Sequence, residues 1–185
     1  ALERRRLVLE RMADLGWELF ETIFNDRRAI GWWTRVVDRL DDCARSGRNA
    51  LVTGPSGSGK ELAARALATL QDRPLVVQNA ARYGSEDEAT ASLFGVGPGV
   101  FSEVRERAGL IGSAHGGVLF LDEAHMLPRR VQKSLLRVIE DGRLSRIGET
   151  AEHEVDVRFV LASNEPGPHH GLEHDLVARL RRGDL

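Results

Sequence analysis

A chain of 185 residues can bury a hydrophobic core without disulfide or metal staples, and one domain is the expectation at that length. Hydrophobic residues at 42% beside charged residues at 29% exclude a disordered chain, and runs of large apolar residues stop at four, as in Val118-Leu119-Phe120-Leu121, which excludes a transmembrane helix. The balance of 26 Lys+Arg against 28 Asp+Glu, a net charge of −2, argues against a dedicated nucleic-acid-binding chain, which carries a basic excess.

In chain order, residues 1–24 read as an amphipathic helix with Leu9, Met12, Leu19, Phe20 and Ile23 on its apolar stripe. After Asn25-Asp26-Arg27-Arg28, a second helix carries Trp33, Val36, Val37, Leu40 and Ala44 at helical spacing and ends at Ser46-Gly47. Ala50-Leu51-Val52-Thr53 is a short apolar strand, followed by a Gly-rich turn and a helix over 60–70 with Leu62, Ala63, Ala66, Leu67 and Leu70 on one face. Leu75-Val76-Val77, Val118 to Leu121 and Phe159-Val160-Leu161-Ala162 are further strands, and a helix is expected over about 129–140. Short all-apolar strands separated by helices imply a parallel sheet covered on both faces, so the fold class is α/β.

Glycine is in surplus, 19 residues against roughly 13 at average usage, concentrated at 54–59 and 95–117. The first cluster, Gly54-Pro55-Ser56-Gly57-Ser58-Gly59-Lys60, fits G-x-x-x-x-G-K between a strand and a helix. Glycines let successive N–H groups curl toward phosphate oxygens, the helix N-terminus adds its dipole, and Lys60 pairs with the β- and γ-phosphates. Glu61 stands where Ser or Thr would offer a hydroxyl to Mg²⁺, so the metal has to rely on phosphate, water and another acid.

That acid is expected at Asp122-Glu123, which follow the apolar strand from Val118. Ligands of open parallel sheets bind outside the carboxyl ends of the strands. Asp122 there can hold the water shell of Mg²⁺, and Glu123 can polarise the water that attacks a γ-phosphate. Taken alone, the two acids also fit a strand end that caps the next helix.

With these motifs in place, the sequence resembles the central AAA+ ATPase domain of bacterial enhancer-binding proteins, the activators of sigma-54 RNA polymerase. The resemblance runs from about Gly31 to Leu185. It rests on G-P-S-G-S-G-K-E at 54–61, V-V-Q-N-A-A at 76–81, S-L-F-G at 92–95, G-G-V-L-F-L-D-E-A at 116–124 and L-P at 127–128. Further matches are Q-K-S-L-L-R-V-I-E-D-G at 132–142, R-I-G at 146–148, V-D-V-R-F-V-L-A-S-N at 155–164 and D-L-x-x-R-L at 175–180.

The resemblance implies a P-loop AAA+ core over 31–185, a helical linker over 1–30, and a C-terminal helical lid that does not follow Leu185 in this sequence. Gly54, Pro55, Ser56, Gly57, Ser58, Gly59, Lys60 and Glu61 are assigned to ATP, Asp122 to Mg²⁺ and Glu123 to water activation. It makes Asn79 the residue that holds the catalytic glutamate inactive, and Asn164 the sensor of the γ-phosphate. As strand-end residues, Asn79 also fits a cap on its own turn and Asn164 the start of a loop before Glu165-Pro166. The implied partners are copies of itself in a hexameric or heptameric ring and sigma-54 polymerase, touched through 99–104. DNA is expected to be met only through other domains, no membrane is expected, and the cytoplasm is the expected location. The lone Cys43, which permits no disulfide framework, and the absence of a secretory apolar segment after Ala1 point the same way.

Two departures matter. The family carries two arginines six residues apart that reach the neighbouring subunit's nucleotide; here the first is Glu173 and only Arg179 remains, which also fits a solvated helix residue beside Arg181 and Arg182. A carboxylate there repels the charge that a guanidinium would stabilise. The polymerase-touching motif G-A-F-T-G-A becomes Gly99-Val100-Phe101-Ser102-Glu103-Val104, and Glu103 replaces a glycine whose tight turn it cannot easily adopt. Two readings therefore stand: an ATP-hydrolysing remodeller of sigma-54 polymerase, and a nucleotide-regulated interaction module with weak hydrolysis and another target. A third, an AAA+ protein acting on DNA such as a helicase loader, fits S-L-F-G and the insertion around Phe101 less well. His169, His170 and His174 read as a solvated loop rather than a zinc site, and Cys43 as a small buried hydrophobe.

Overall fold

The computed structural model describes residues 38–98 and 108–181. The expected helix over 1–24, Trp33, and the 99–104 motif lie outside those residues. Helix α1 (38–46) ends where Gly47 turns left-handed at φ 61. Then follow β1 (Ala50–Thr53), α2 (Lys60–Leu70), β2 (Leu75–Asn79), a 3-10 turn (Ala80–Arg82), α3 (Glu86–Phe94) and α4 (Leu110–Ser113). The second half runs through β3 (Val118–Asp122), a 3-10 turn (Ala124–Met126), α5 (Arg129–Asp141), β4 (Arg143–Leu144), β5 (His153–Glu154), β6 (Arg158–Ser163) and α6 (His174–Arg181).

Four strands form one parallel sheet in the order β1-β6-β3-β2, so the α/β class expected from the apolar runs is what the chain adopts. Successive side chains on a strand point to opposite faces, and each face has its own core. Ala50, Val118, Phe120, Val160 and Ala162 pack with Leu40 and Cys43 of α1 and Leu62, Ala63, Ala66 and Leu67 of α2. Leu51, Leu119, Leu121, Phe159 and Leu161 pack with Leu93 of α3, Ile111 of α4, Leu135 of α5 and Leu176 of α6. Burial on both faces is why these strands read as unbroken apolar runs. Cys43 is buried as expected, and burial pushes its thiol up to about 11, which keeps it out of thiolate chemistry.

Helices α3 and α6 and the small antiparallel pair β4–β5 were not picked out by periodicity. The start of α3 does carry a local signal: Ser85 accepts from the Glu88 N–H at 3.1 Å, while the Glu88 carboxylate accepts from the Gly84 N–H at 2.8 Å. This is close to the reciprocal S-x-x-E capping arrangement. At the base of the 95–117 region, Gly109 lies against the backbone of residues 93–95, where a Cβ would stand 2.4 Å from the Gly95 nitrogen. The second glycine cluster is thus partly a demand for backbone contact.

The amino ends of the strands are tied together at the edge away from the glycine loop. Asp156 accepts from Arg73 at 2.7 Å and pairs with Arg158 at 3.1 Å, just before β2 and β6. The Arg73 hydrogen bond, with Arg158 adding to it, holds the Asp156 carboxyl below its usual range. A depressed carboxylate pKa contributes stability above the unfolded-state value and loses it as pH falls through the folded-state value. Asp156 is half exposed, so solvent screening keeps the contribution small. Asp156→Asn should lower unfolding stability at pH 7 by about 0.5 kcal/mol. Urea titrations of both proteins should converge as the pH is taken below the carboxylate's folded-state pKa.

Candidate nucleotide site

The strand order decides which loops meet. β6 lies between β1 and β3, so the loop after β1, the acids at the end of β3 and Asn164 after β6 open at one carboxyl edge of the sheet. Asn79 ends β2, in register with Asp122 on the side of β3 away from the loop.

The loop is built as its glycines suggested. Gly57 and Gly59 have φ of 78 and 85, a region open to glycine at little cost. A Cβ on Gly57 would meet nothing within 4 Å, so its requirement is conformational. Gly54, whose Cβ position is filled by the Ser58 hydroxyl, donates its N–H to the Ser163 carbonyl at 3.2 Å, which fastens the loop to the end of β6. Lys60 is buried, and its ammonium donates to the carbonyls of Gly54 and Pro55 at 3.2 and 3.3 Å. It thereby lies along the loop instead of extending into solvent. Pro55 and Ser56 are exposed at the rim. The Glu61 carboxylate accepts from Arg65 at 2.9 Å on the exposed face of α2, so this partner, and not the loop, engages it.

The acidic pair is strained and polarised. Asp122 accepts from the Glu123 N–H at 3.0 Å. Glu123 is left-handed, φ 50 and ψ 41, an uncommon conformation for a non-glycine residue. Its Oε1 accepts from the Asn164 amide at 3.2 Å, while Oε2 is buried and makes no hydrogen bond. A buried carboxylate oxygen without a partner is costly in a structural role and is the kind of atom that active sites retain. Asn79 instead accepts from the Ala81 N–H at 2.8 Å, capping its own 3-10 turn. The described contacts therefore give Glu123 to Asn164, and Asn79 to local structure.

One residue at this edge was not anticipated. His125 has its Nδ1 3.5 Å from Glu123 Oε2 and 3.2 Å from the Ser163 hydroxyl. Nothing in the linear pattern distinguishes it from a polar residue after a strand; the contact depends on β6 lying beside β3. His169 and His174 meet edge to face with ring centroids 5.0 Å apart. Among the described residues, no group of three or more His, Cys, Asp or Glu is arranged to hold a metal ion.

A profile of the sigma-54 interaction domain matches residues 30–182. The chain belongs to that family. It is 42% identical over 154 residues to the nitrogen assimilation regulatory protein NtrX of Azorhizobium caulinodans, covering 81% of this chain and 31% of the relative. It is 38% identical over 137 residues to the transcriptional regulatory protein XylR of Pseudomonas putida, covering 72% of this chain and 24% of XylR. Among solved structures, NtrX from Brucella abortus in complex with ATP is similar at a TM-score of 0.66 and 33% identity, over 80% of this chain and 35% of that one; the same protein is also known with ADP. The chain thus spans about a quarter to a third of the length of these relatives. It carries the sigma-54 interaction domain of bacterial transcriptional regulators, on an AAA+ P-loop fold.

The start of α6, which bears Arg179, is joined to the segment after the acidic pair through one buried side chain. Gln132 donates to the Leu127 carbonyl at 2.8 Å and accepts from the Glu173 N–H at 2.8 Å. The Glu173 carboxylate meets Arg129 at 3.3 Å, so the residue standing at the first arginine position is engaged within its own chain. Gln132→Ala leaves a buried carbonyl and a helix-start N–H unpaired. It should destabilise the protein by about 2–3 kcal/mol, measured as a lower urea midpoint at unchanged slope.

Proposed function

We propose that this domain binds ATP with Mg²⁺ and hydrolyses it, in a cytoplasmic ring of identical subunits that remodels sigma-54 RNA polymerase. The observation that carries the reading is the convergence of the Gly54–Lys60 loop, Asp122, Glu123 and Asn164 at one sheet edge, with Glu123 held by Asn164 at 3.2 Å and its second oxygen buried and unpartnered.

The residues fit a nucleoside triphosphate. The left-handed glycines at 57 and 59 leave the loop without side-chain obstruction at its crest, and the N-terminus of α2 faces the same place. Lys60, already turned along the loop, supplies a positive charge for the β- and γ-phosphates. Bound Mg²⁺ would neutralise phosphate charge, held by Asp122 through water and by the phosphates, because Glu61 offers no hydroxyl. Glu123 orients and polarises the attacking water as general base. Asn164 can exchange its bond to Glu123 for one to a γ-phosphate oxygen, since a side-chain amide donates equally well to either acceptor. Asn79, in register with Asp122, would serve Glu123 only by giving up its cap. Arg179 is assigned to a neighbouring subunit's nucleotide.

A second reading keeps nucleotide binding but reduces hydrolysis and changes the target. It is favoured by Glu173, whose carboxylate cannot stabilise phosphoryl charge, and by Glu103 in the 99–104 segment. Under it, the protein in its assembled state would hold ATP tightly with negligible turnover and would not capture sigma-54 in the presence of an ATP analogue.

Two substitutions in the full-length protein test the primary reading. Lys60→Ala should weaken ATP binding by more than about ten-fold. Glu123→Gln should bind ATP normally and lose turnover by about 100-fold or more. Isothermal titration and phosphate-release assays measure the two. Undiminished hydrolysis by the Gln variant would sink the assignment of Glu123.

A further inference from the structure

We propose that His125 is a positioning residue for Glu123: its imidazole, held by an Nδ1–H bond to Ser163, packs its Nδ1 edge against carboxylate oxygen Oε2 so that Oε1 is the oxygen presented to water. The proposal deepens the hydrolysis reading and rests on it.

Hydrogen-bond accounting fixes where the imidazole hydrogen sits. Ser163 is fully buried. Its hydroxyl donates to the His170 carbonyl at 2.7 Å, and its oxygen accepts from the Glu165 N–H at 3.1 Å. A serine has one hydroxyl hydrogen, and a carbonyl can only accept, so that hydrogen is committed. His125 Nδ1 lies 3.2 Å from the same oxygen and must therefore be the donor. The ring is held in place, with 11% of its side chain exposed, and Nε2 faces Glu165 Oε1 at 3.7 Å.

With that hydrogen given to Ser163, Glu123 Oε2 lies 3.5 Å from Nδ1 against the electropositive edge of the ring and accepts no hydrogen bond from it. The two carboxylate oxygens are consequently inequivalent. Oε2 is buried against the imidazole; Oε1 points to Asn164, which is exposed. When Asn164 is drawn to a phosphate, Oε1 is freed at the solvent side while Oε2 keeps its neighbour. A neighbour that orients a catalytic group by its second atom changes turnover more than affinity, and removal of such outer partners costs about 10–100-fold.

The test uses the full-length protein and reads kcat, KM and the ATP dissociation constant separately. His125→Ala should lower kcat about ten-fold or more with ATP affinity within about two-fold of the parent. His125→Asn, whose amide nitrogen occupies the place of Nδ1, should recover most of kcat; His125→Gln, whose amide reaches the place of Nε2, should not. In ¹⁵N-histidine spectra of the parent, Nδ1 of His125 should carry a hydrogen, and Ser163→Ala should weaken that preference. Unchanged kcat in His125→Ala, equal impairment of the Asn and Gln variants, loss of affinity in step with kcat, or a hydrogen on Nε2 alone would each overturn the proposal. The spectra and the Asn/Gln pair decide the matter should the alanine variant not fold. Glu123→Gln run in parallel separates the two levels. If it retains turnover, the hydrolysis reading fails; if it is inactive while His125→Ala is fully active, only the role of His125 fails.

Discussion

The placement of β6 between β1 and β3 is the constraint on which the site depends. Because all four strands are parallel and β1, β3 and β6 are packed on both faces, a one-residue slip of any of these three would turn its apolar set to the wrong core. Val160 and Leu161 serve opposite faces within the same strand, so the register of β6 is pinned twice. With the register pinned, the ends of β1, β6 and β3 are fixed relative to one another. The loop, Asn164 and the acids then take their spacing from the sheet, with Gly54 fastened to the end of β6 through the Ser163 carbonyl.

What the sheet does not fix is the conformation of Glu123, and here local bonds oppose backbone strain. A non-glycine residue in the left-handed region costs roughly 1 kcal/mol or more. The conformation is maintained by Asp122 accepting the Glu123 N–H and by the Met126 N–H donating to the Glu123 carbonyl at 2.8 Å. The side chain is thereby turned across the end of β3 toward β6, where Asn164 and His125 face its two oxygens. A relaxed, extended residue 123 would continue the strand and carry the carboxylate away from both.

The fold class, four strand cores and helices α2 and α5 were legible because each depends on local periodicity and on motifs bounded by turn residues. The turn over 54–60 was legible because its left-handed glycines cannot be replaced without trace. Lateral order was not legible: apolar strands of similar composition do not state which neighbour they pair with, and the partner of Glu123 follows from that order alone. Asn79 and Asn164 look alike in sequence, each an amide closing an apolar strand. Only the strand order puts Asn164 beside the loop and leaves Asn79, across β3, to cap the turn at Ala81. His125 was hidden for the same reason, and α6 because its eight residues are too few to establish a period.

The segment after β6 is joined to the segment after β3 at two points, and this gives the site its reach. Ser163 meets His125 and the His170 carbonyl near the nucleotide edge; Gln132 bonds the Leu127 carbonyl and the Glu173 N–H farther along. Both links are made by buried side chains, Ser163 and Gln132, and breaking either would leave a buried polar group short of a partner. Residues 163–173 are therefore tied near each end to the segment that follows β3. Asn164 lies just inside the first tie, and α6 with Arg179 begins just beyond the second. The placement of Asn164 and of the helix bearing Arg179 is thus set by one stretch of chain held through two buried side chains, Ser163 and Gln132.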